Sequence, residues 1–241
     1  LQIALDKKVP LRLSTPLKDL IIENDQIIGI EVEKDHQPYF IKCKGVILAG
    51  GGFERNPELR KKYHNVDTNW TSASESNTGD MLLIAQKHNL DTALLDDAWW
   101  GPATLDANGA RKFLVYERSM PHCIIVDQTG ERYFNESESY VDAGHAILER
   151  HERNGKAIHS WLILESRNRN KYLFSDMLPR MTPKKAVESG FFVKASTIEE
   201  LASKCEIDLK GLQSTVTRFN RFVESGTDED FGRGNSAYDN Y

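Results

Sequence analysis

Three groups of residues in this 241-residue chain are of types that do chemistry. The first is the run "FNESESYVDAG" at residues 134–144, where Glu136, Glu138 and Asp142 crowd around Tyr140. Paired carboxylates can share a proton or hold a metal, but no His or Cys stands at supporting spacing. The run therefore reads as a solvated loop or a hydrogen-bonded brace for Tyr140, and Tyr140 on this basis is a half-buried packing residue. The second group is the glycine run in "GVILAGGGFERNPEL", residues 45–59. Glycines after an apolar strand let the backbone turn tightly and expose N–H groups to a close ligand, a dinucleotide above all. Yet "GGGFER" is not G-x-G-x-x-G, so it marks a nucleotide-domain segment of another kind or a tight turn. The third group is Trp99, Trp100, Ser119 and His122. The tryptophans suit core aromatics at a domain junction or the lining of an apolar cleft. His122, after Pro121 and beside a strand, reads as a satisfied structural histidine. Ser119, Ser137 and Ser139 lie in no nucleophile elbow, which removes acyl-transfer hydrolysis.

The elements that must position these groups fall into two textures. Residues 11–49 are strand-rich: "LRLST", "DLIIEN", "IIGIEVEK", "PYFIKCK" and "GVILAG". Asn24 with Asp25, and Asp35 with His36, are turn signals that make the middle of this stretch an antiparallel meander. "GVILAG" is apolar on both faces and predicts a strand covered on both sides. A helix starts at Asn56 and Pro57, and another follows "SNTGD", capped by Asn77 or Thr78 with Asp80 in its first turn. Beyond "AWWGPATL" the texture changes, with Gly101 and Pro102 interrupting regular structure. "CIIVDQTGERYF" predicts a hairpin about residues 128–130, and "NESESYVDAGHAILER" a loop leading into a helix. Near the end, Thr197 and Glu200 stand at capping-box spacing. Leu209, Leu212, Val216, Phe219 and Val223 then form one helical face that stops at Gly226.

A net charge of −5 gives no electrostatic footprint for nucleic acid. No apolar run approaches the ~20 residues of a membrane span, and residues 1–20 lack the pattern of a signal peptide, so a cytoplasmic protein is expected. Cys43, Cys123 and Cys205 are too few and too far apart for a disulfide framework or a metal site, and read as buried thiols. Both ends break off inside a pattern, as in a piece excised from a longer chain.

Several segments together resemble one family. "STPLKDLI" with "IIGIEV", "VILAGGGFERN", "NTGD", "DDAWWGP", "ERSMPHCIIVDQTGERYFNESESY" and "TVTRFNRFVESGTDEDFGRGNSAYDNY" are similar to the flavoprotein 3-ketosteroid 1-dehydrogenases. These lie within the fumarate reductase and succinate dehydrogenase flavoprotein superfamily. The resemblance implies a mixed α/β (α+β) chain: part of an FAD-binding Rossmann-like domain with an antiparallel meander over residues 1–102, then an inserted α+β catalytic domain over 103–241. The crossing is expected at residues 99–103. FAD would be held by Leu17, Ala49, Gly50, Gly51, Asn77 and Asp80, with no metal. The family usually has Thr or Ala where Gly50 stands and Gly where Met81 stands. Its pyrophosphate-binding G-x-G-x-x-G would precede Leu1, and a segment polarising the steroid ketone would follow Tyr241, so the fragment is expected to hold FAD weakly or not at all.

The implied reaction removes hydrogens from C1 and C2 of a 3-ketosteroid. The ketone acidifies C2–H, so the site needs donors to the carbonyl oxygen, a base, and an oriented flavin N5 as hydride acceptor. By resemblance the base is Tyr140, activated by a second tyrosine outside these residues, because a phenol with a pKa of about 10 is a poor base unaided. Trp99, Trp100 and Ser119 would line the steroid, and an external acceptor would take the electrons. The alternatives are a related flavoprotein acting on another ketone or enone, a fumarate reductase type, and a non-catalytic binding module.

Overall fold

A computed structural model describes residues 2–106 and 108–240. The chain divides into two compact units, Leu1–Asp96 and Asp97–Tyr241, each mixing helices with antiparallel strands.

In the first unit a short helix α1 (Gln2–Asp6) precedes β1 (Leu17–Glu23), β2 (Gln26–Lys34) and β3 (Gln37–Lys42), an antiparallel meander in sequence order. Glu23 pairs with Gln26 and Lys34 with Gln37, so both connections are two-residue loops. Asn24 and Asp25 (φ 51° and 59°) and Asp35 and His36 (φ 49° and 62°) are all left-handed, the backbone of type I′ turns. Helix α2 (Pro57–Tyr63) starts as expected: the Asn56 side chain accepts from the N–H groups of Glu58 and Leu59, and Pro57 needs no partner. Helix α3 (Asp80–Lys87) is tied to β1 through Asp19, which accepts from Lys87 Nζ and His88 Nε2 and is held down at about 2, chiefly by the Lys87 bond.

Two expected strands of this unit are absent. Residues 11–15 and 45–50 are extended or irregular, and Ile47 is 92% exposed. An apolar strand covered on both faces requires ladder partners. The meander is complete in itself, and among the described residues nothing pairs with "GVILAG". Cys43, expected to be buried, is half-buried just past β3.

The second unit opens with a small hairpin of β4 (Ala103–Leu105) and β5 (Arg111–Phe113). Strand β6 (Cys123–Val126) is followed by α4 (Tyr140–Asn154), and β7 (Trp161–Leu164) then returns antiparallel to β6. Four helices complete the unit: α5 (Ser166–Lys171), α6 (Lys184–Glu188), α7 (Ile198–Cys205) and α8 (Leu209–Ser225). All of β6 is buried, and its alternation divides the core. Ile124 and Val126 pack with Ala202, Cys205, Ile207 and Leu212 of the α7–α8 side. Ile125 packs with Phe134 and with Ala143 of α4.

The hairpin expected at 123–134 closes its turn but gains no second strand. Gly130 N–H bonds the Asp127 carbonyl and Asp127 N–H the Glu131 carbonyl. The fully buried Asp127 carboxylate gathers Thr129, Arg150 and Asn154. The chain beyond is then committed to side-chain bonds, and β6 pairs with β7 instead. In α8 the expected stripe holds at Leu212, Val216 and Phe219, but Leu209 and Val223 are exposed, and Phe222 is buried in place of Val223, under the Arg218 guanidinium at 5.2 Å. Thr197 caps α7 by accepting from Glu200 N–H at 3.1 Å. Among the described residues no helix is long and apolar enough to cross a membrane.

Candidate active site

The glycine turn meets the start of α3 through backbone bonds. Gly79 N–H donates to the Gly52 carbonyl (3.0 Å), Arg55 N–H to the Asn77 carbonyl (2.9 Å), and the Asn56 amide to the Thr78 carbonyl (2.9 Å). This brings Ala49, Gly50, Gly51, Asn77 and Asp80 into one neighbourhood of the first unit. Leu17 stands opposite Val32 at the start of β1 and has no described contact with the turn. Asn77 and Thr78, expected as caps, do other work. The Asn77 amide bonds Glu54 (3.0 Å), the Thr78 hydroxyl bonds Asp80 (2.8 Å), and Gly79 occupies the N-cap with φ 85°. Gly51 is left-handed, φ +88°, and a Cβ there would sit 2.6 Å from Asn77 Oδ1. A Cβ on Gly50 would sit 2.6 Å from Met81 Cγ. The result is an exposed backbone edge at Ala49, Gly50 and Gly51, with the Met81 and Asn77 side chains filling the places where Cβ atoms on the two glycines would stand.

In the second unit Tyr140 is the first residue of α4, the helix end where outward N–H groups favour negative charge. Ser139 caps that end by accepting from Asp142 N–H. The Tyr140 ring lies edge-on to Phe113, with centroids 5.3 Å apart. Among the described residues its phenol oxygen has no hydrogen-bond partner, so the expected carboxylate brace is not made. Phe113 in turn lies over Gly101, at the place a Cβ would occupy. One turn along α4, Gly144 lets the Trp100 backbone pack directly on the helix, a Cβ being blocked at 2.5 Å. Trp100 and Tyr140 are thus neighbours through Gly101, Phe113 and Gly144. The tryptophans are not core aromatics: Trp99 is 87% exposed, and Trp100 bonds Asp97 through its indole N–H. Asp97 also bonds His145 of α4 (2.8 Å), which places residues 97–101 with the second unit.

The run leading into Tyr140 is pinned by buried charge. Glu136, expected in a solvated loop, is fully buried. Arg132 grips its two carboxylate oxygens at 2.8 Å each, Arg233 reaches it at 3.2 Å, and the Ile125 N–H donates to it at 3.0 Å. Arg132 also bonds Asp228 and lies between the rings of Phe219 and Phe231. Burial works against each charge here, but the carboxylates hold Arg132 above the usual guanidinium range, and Arg132 holds Asp228 below the usual carboxylate range. Arg233 further donates to the carbonyls of Ser119, Met120 and Cys123. The Ser119 hydroxyl bonds the Tyr116 carbonyl. Glu138 lines an open cleft with Asp142, Phe231 and Asp239. Burial, then the charge of Asp142, pushes its carboxyl up to about 7. His122 faces Glu165 at 3.7 Å, a structural pairing. The Cys123 thiol is pushed up to about 11 by burial and is chemically quiet. Among the described residues no cluster of His, Cys, Asp or Glu could hold a metal ion. Asp228 and Arg233 carry no sequence signal near the run, since their partners there stand 96 to 114 residues away, whereas Arg132 stands four residues before Glu136.

Residues 1–240 match the model of the FAD binding domain family. The chain belongs to that family. FAD is accordingly its cofactor, as the motifs imply. Within the family the chain is 41% identical to the 3-oxosteroid 1-dehydrogenase of Mycobacterium tuberculosis, over 97% of this chain and 44% of that protein. It is 31% identical to the 4-oxocyclohex-2-ene-1-carboxylate 5-dehydrogenase of Sinomonas cyclohexanicum, over 99% of this chain and 42% of that protein. The crystal structure of 3-ketosteroid delta1-dehydrogenase from Sterolibacterium denitrificans, in complex with 1,4-androstadiene-3,17-dione, is similar with a TM-score of 0.88 at 32% identity. That match covers 98% of this chain and 44% of the other. The chain therefore spans under half the length of the family relatives it matches.

Proposed function

We propose that this chain is part of a flavin-dependent 3-ketosteroid 1-dehydrogenase, with the first unit belonging to an FAD-binding Rossmann-like domain and the second to an inserted catalytic domain. The observation that carries this reading is the 41% identity over 97% of the chain to a 3-oxosteroid 1-dehydrogenase. The exposed glycine edge fits part of FAD, because backbone without Cβ admits a close ligand. Asp80 beside it suits the hydroxyl groups of that cofactor better than its phosphates, since a carboxylate repels one and accepts from the other. When bound, FAD supplies the acceptor for the hydride that leaves C1 of the steroid. Tyr140, once its oxygen is activated, takes the proton from C2, and the C1–C2 bond becomes double. Its free phenol oxygen is available for that task. Trp99, with its ring in solvent, and Trp100 offer apolar surface beside it, and an external acceptor receives the electrons. Ser119 shapes the wall through its backbone, its hydroxyl being engaged locally.

A smaller cyclic ketone is the second reading, favoured by the 31% identity to the cyclohexene-carboxylate dehydrogenase. The test uses the flavin-loaded polypeptide that carries these residues. It should convert 4-androstene-3,17-dione to its 1,4-diene and act far more slowly on 4-oxocyclohexanecarboxylate; the reverse preference overturns the steroid reading. Tyr140→Phe should lower turnover at least ~100-fold, the low end of what a placed base supplies. Flavin should stay bound and KM change little, because only one oxygen is lost. Solvent exchange of the C2 hydrogen should slow in parallel. Near-normal turnover would return Tyr140 to packing.

A further inference from the structure

We propose that Arg118 is a positioning residue for Tyr140, a role that rests on Tyr140 acting as the base. Arg118 is 2% exposed, and it donates to backbone carbonyls on two separate segments. Nε donates to Leu114 (3.2 Å), Nη1 to Glu136, and Nη2 to Glu138 (2.7 Å). Leu114 directly follows Phe113, and Glu138 stands two residues before Tyr140. These are the two strips of backbone whose rings meet edge-on at 5.3 Å. One planar fork therefore sets the spacing between Phe113 and the residue it supports.

The fork is itself anchored. Arg233 bonds the carbonyls of the next two residues, Ser119 and Met120, and reaches the Glu136 carboxylate. Glu136 is thus held by its side chain from Arg132 and Arg233, and by its carbonyl from Arg118. With backbone and side chain both fixed, the chain entering α4 has one path, and Tyr140 starts the helix from a set point. Glu136 meets β6 through the Ile125 N–H, and Arg132 holds its carboxylate there. The extra grip on Glu138 and Leu114 bears on the Tyr140 and Phe113 pair. Lysine cannot replace this fork, because a single ammonium on a flexible stem cannot span three carbonyls in a plane.

The test is a double-mutant cycle in the flavin-loaded polypeptide, with flavin content and melting temperature measured for every variant. Arg118→Lys should lower kcat about 10-fold with KM within about twofold, since an ångström of misplacement suffices for losses of this order or larger. Added to Tyr140→Phe, the same change should cost less than about twofold, because no base is left to misplace. Wild-type kcat in Arg118→Lys, or an undiminished loss in the Tyr140→Phe background, overturns the positioning role and leaves the base reading standing. Near-normal turnover of Tyr140→Phe alone overturns both. Should Arg118→Lys not fold, Phe113→Leu tests the same spacing from a partly exposed site. It should lower kcat about threefold, and only when Tyr140 is present; unchanged kcat overturns the proposal.

Discussion

At the scale of single residues, the candidate site depends on carboxylates that look alike in sequence and behave differently in the fold. Glu136 and Glu138 are two positions apart, yet one is gripped by two arginines and the other faces Asp142 and Asp239 with burial against it. The Glu138 carboxyl titrates at about 7 in the folded chain against 4.5 ordinarily, so the folded form binds its proton more readily. Stability therefore falls as pH rises from about 4.5 to about 7, and the deficit is complete above that window. Glu138→Gln mimics the protonated carboxyl. It should leave the unfolding free energy unchanged at pH 4 and raise it at pH 8 by about 1 kcal/mol after discounting for partial solvent screening, with the melting temperature rising to match. A difference between variant and wild type that does not grow with pH would show that Glu138 is not held protonated. The run stands out by its motif, but its composition does not separate its members. The cause is distance: the partners of Glu136 include Arg233, and those of Glu138 include Asp239, both about a hundred residues onward in the chain.

At the scale of elements, local chemistry predicted well wherever an element is self-contained. The two type I′ turns, the Asn56 and Pro57 helix start, the Thr197 cap and the Gly226 stop each need only a few neighbouring residues, and each forms. Elements that need distant partners were misread. "GVILAG" has a buried strand's composition but no ladder among the described residues, and β6 takes its partner from β7 rather than from the adjacent run. Gly50 and Met81 show the same limit more finely. Each departs singly from the pattern of the resembled family, and the fold shows them to be in contact, a small residue beneath a large one. Gly50 has no left-handed φ, so alanine there gains about 0.5 kcal/mol by restricting the unfolded chain. The overlap with Met81 Cγ outweighs this, and Gly50→Ala should destabilise by about 1 kcal/mol. In a Met81→Ala background the overlap is gone and the sign should invert, to about 0.5 kcal/mol stabilising. Denaturant midpoints of the four proteins decide it; additive effects would mean that the two positions do not share their space.

At the scale of the whole molecule, the chain carries complete local cores but an incomplete cofactor fingerprint. The second unit has two packed clusters on either side of β6, and the first has its own meander and helices, so both units are expected to fold without flavin. Cofactor retention is another matter. None of the 241 residues forms a G-x-G-x-x-G, the turn that sets a pyrophosphate on a helix N-terminus. The glycine edge at residues 49–51 offers a ligand only backbone, beside a carboxylate, and Ile47 next to it stands in solvent. A few such contacts do not recover the freedom a large, flexible dinucleotide loses on binding, a cost of at least ~4 kcal/mol. Residues 1–241 expressed alone should therefore give a cooperative melt and helical and strand signatures, yet purify with far less than one flavin per chain. Adding FAD in excess should leave the melting temperature unchanged, because a ligand stabilises only in proportion to its binding to the folded form. Yellow protein with one flavin per chain after gel filtration would show that these residues hold FAD by themselves, and that the exposed glycine edge is a complete site.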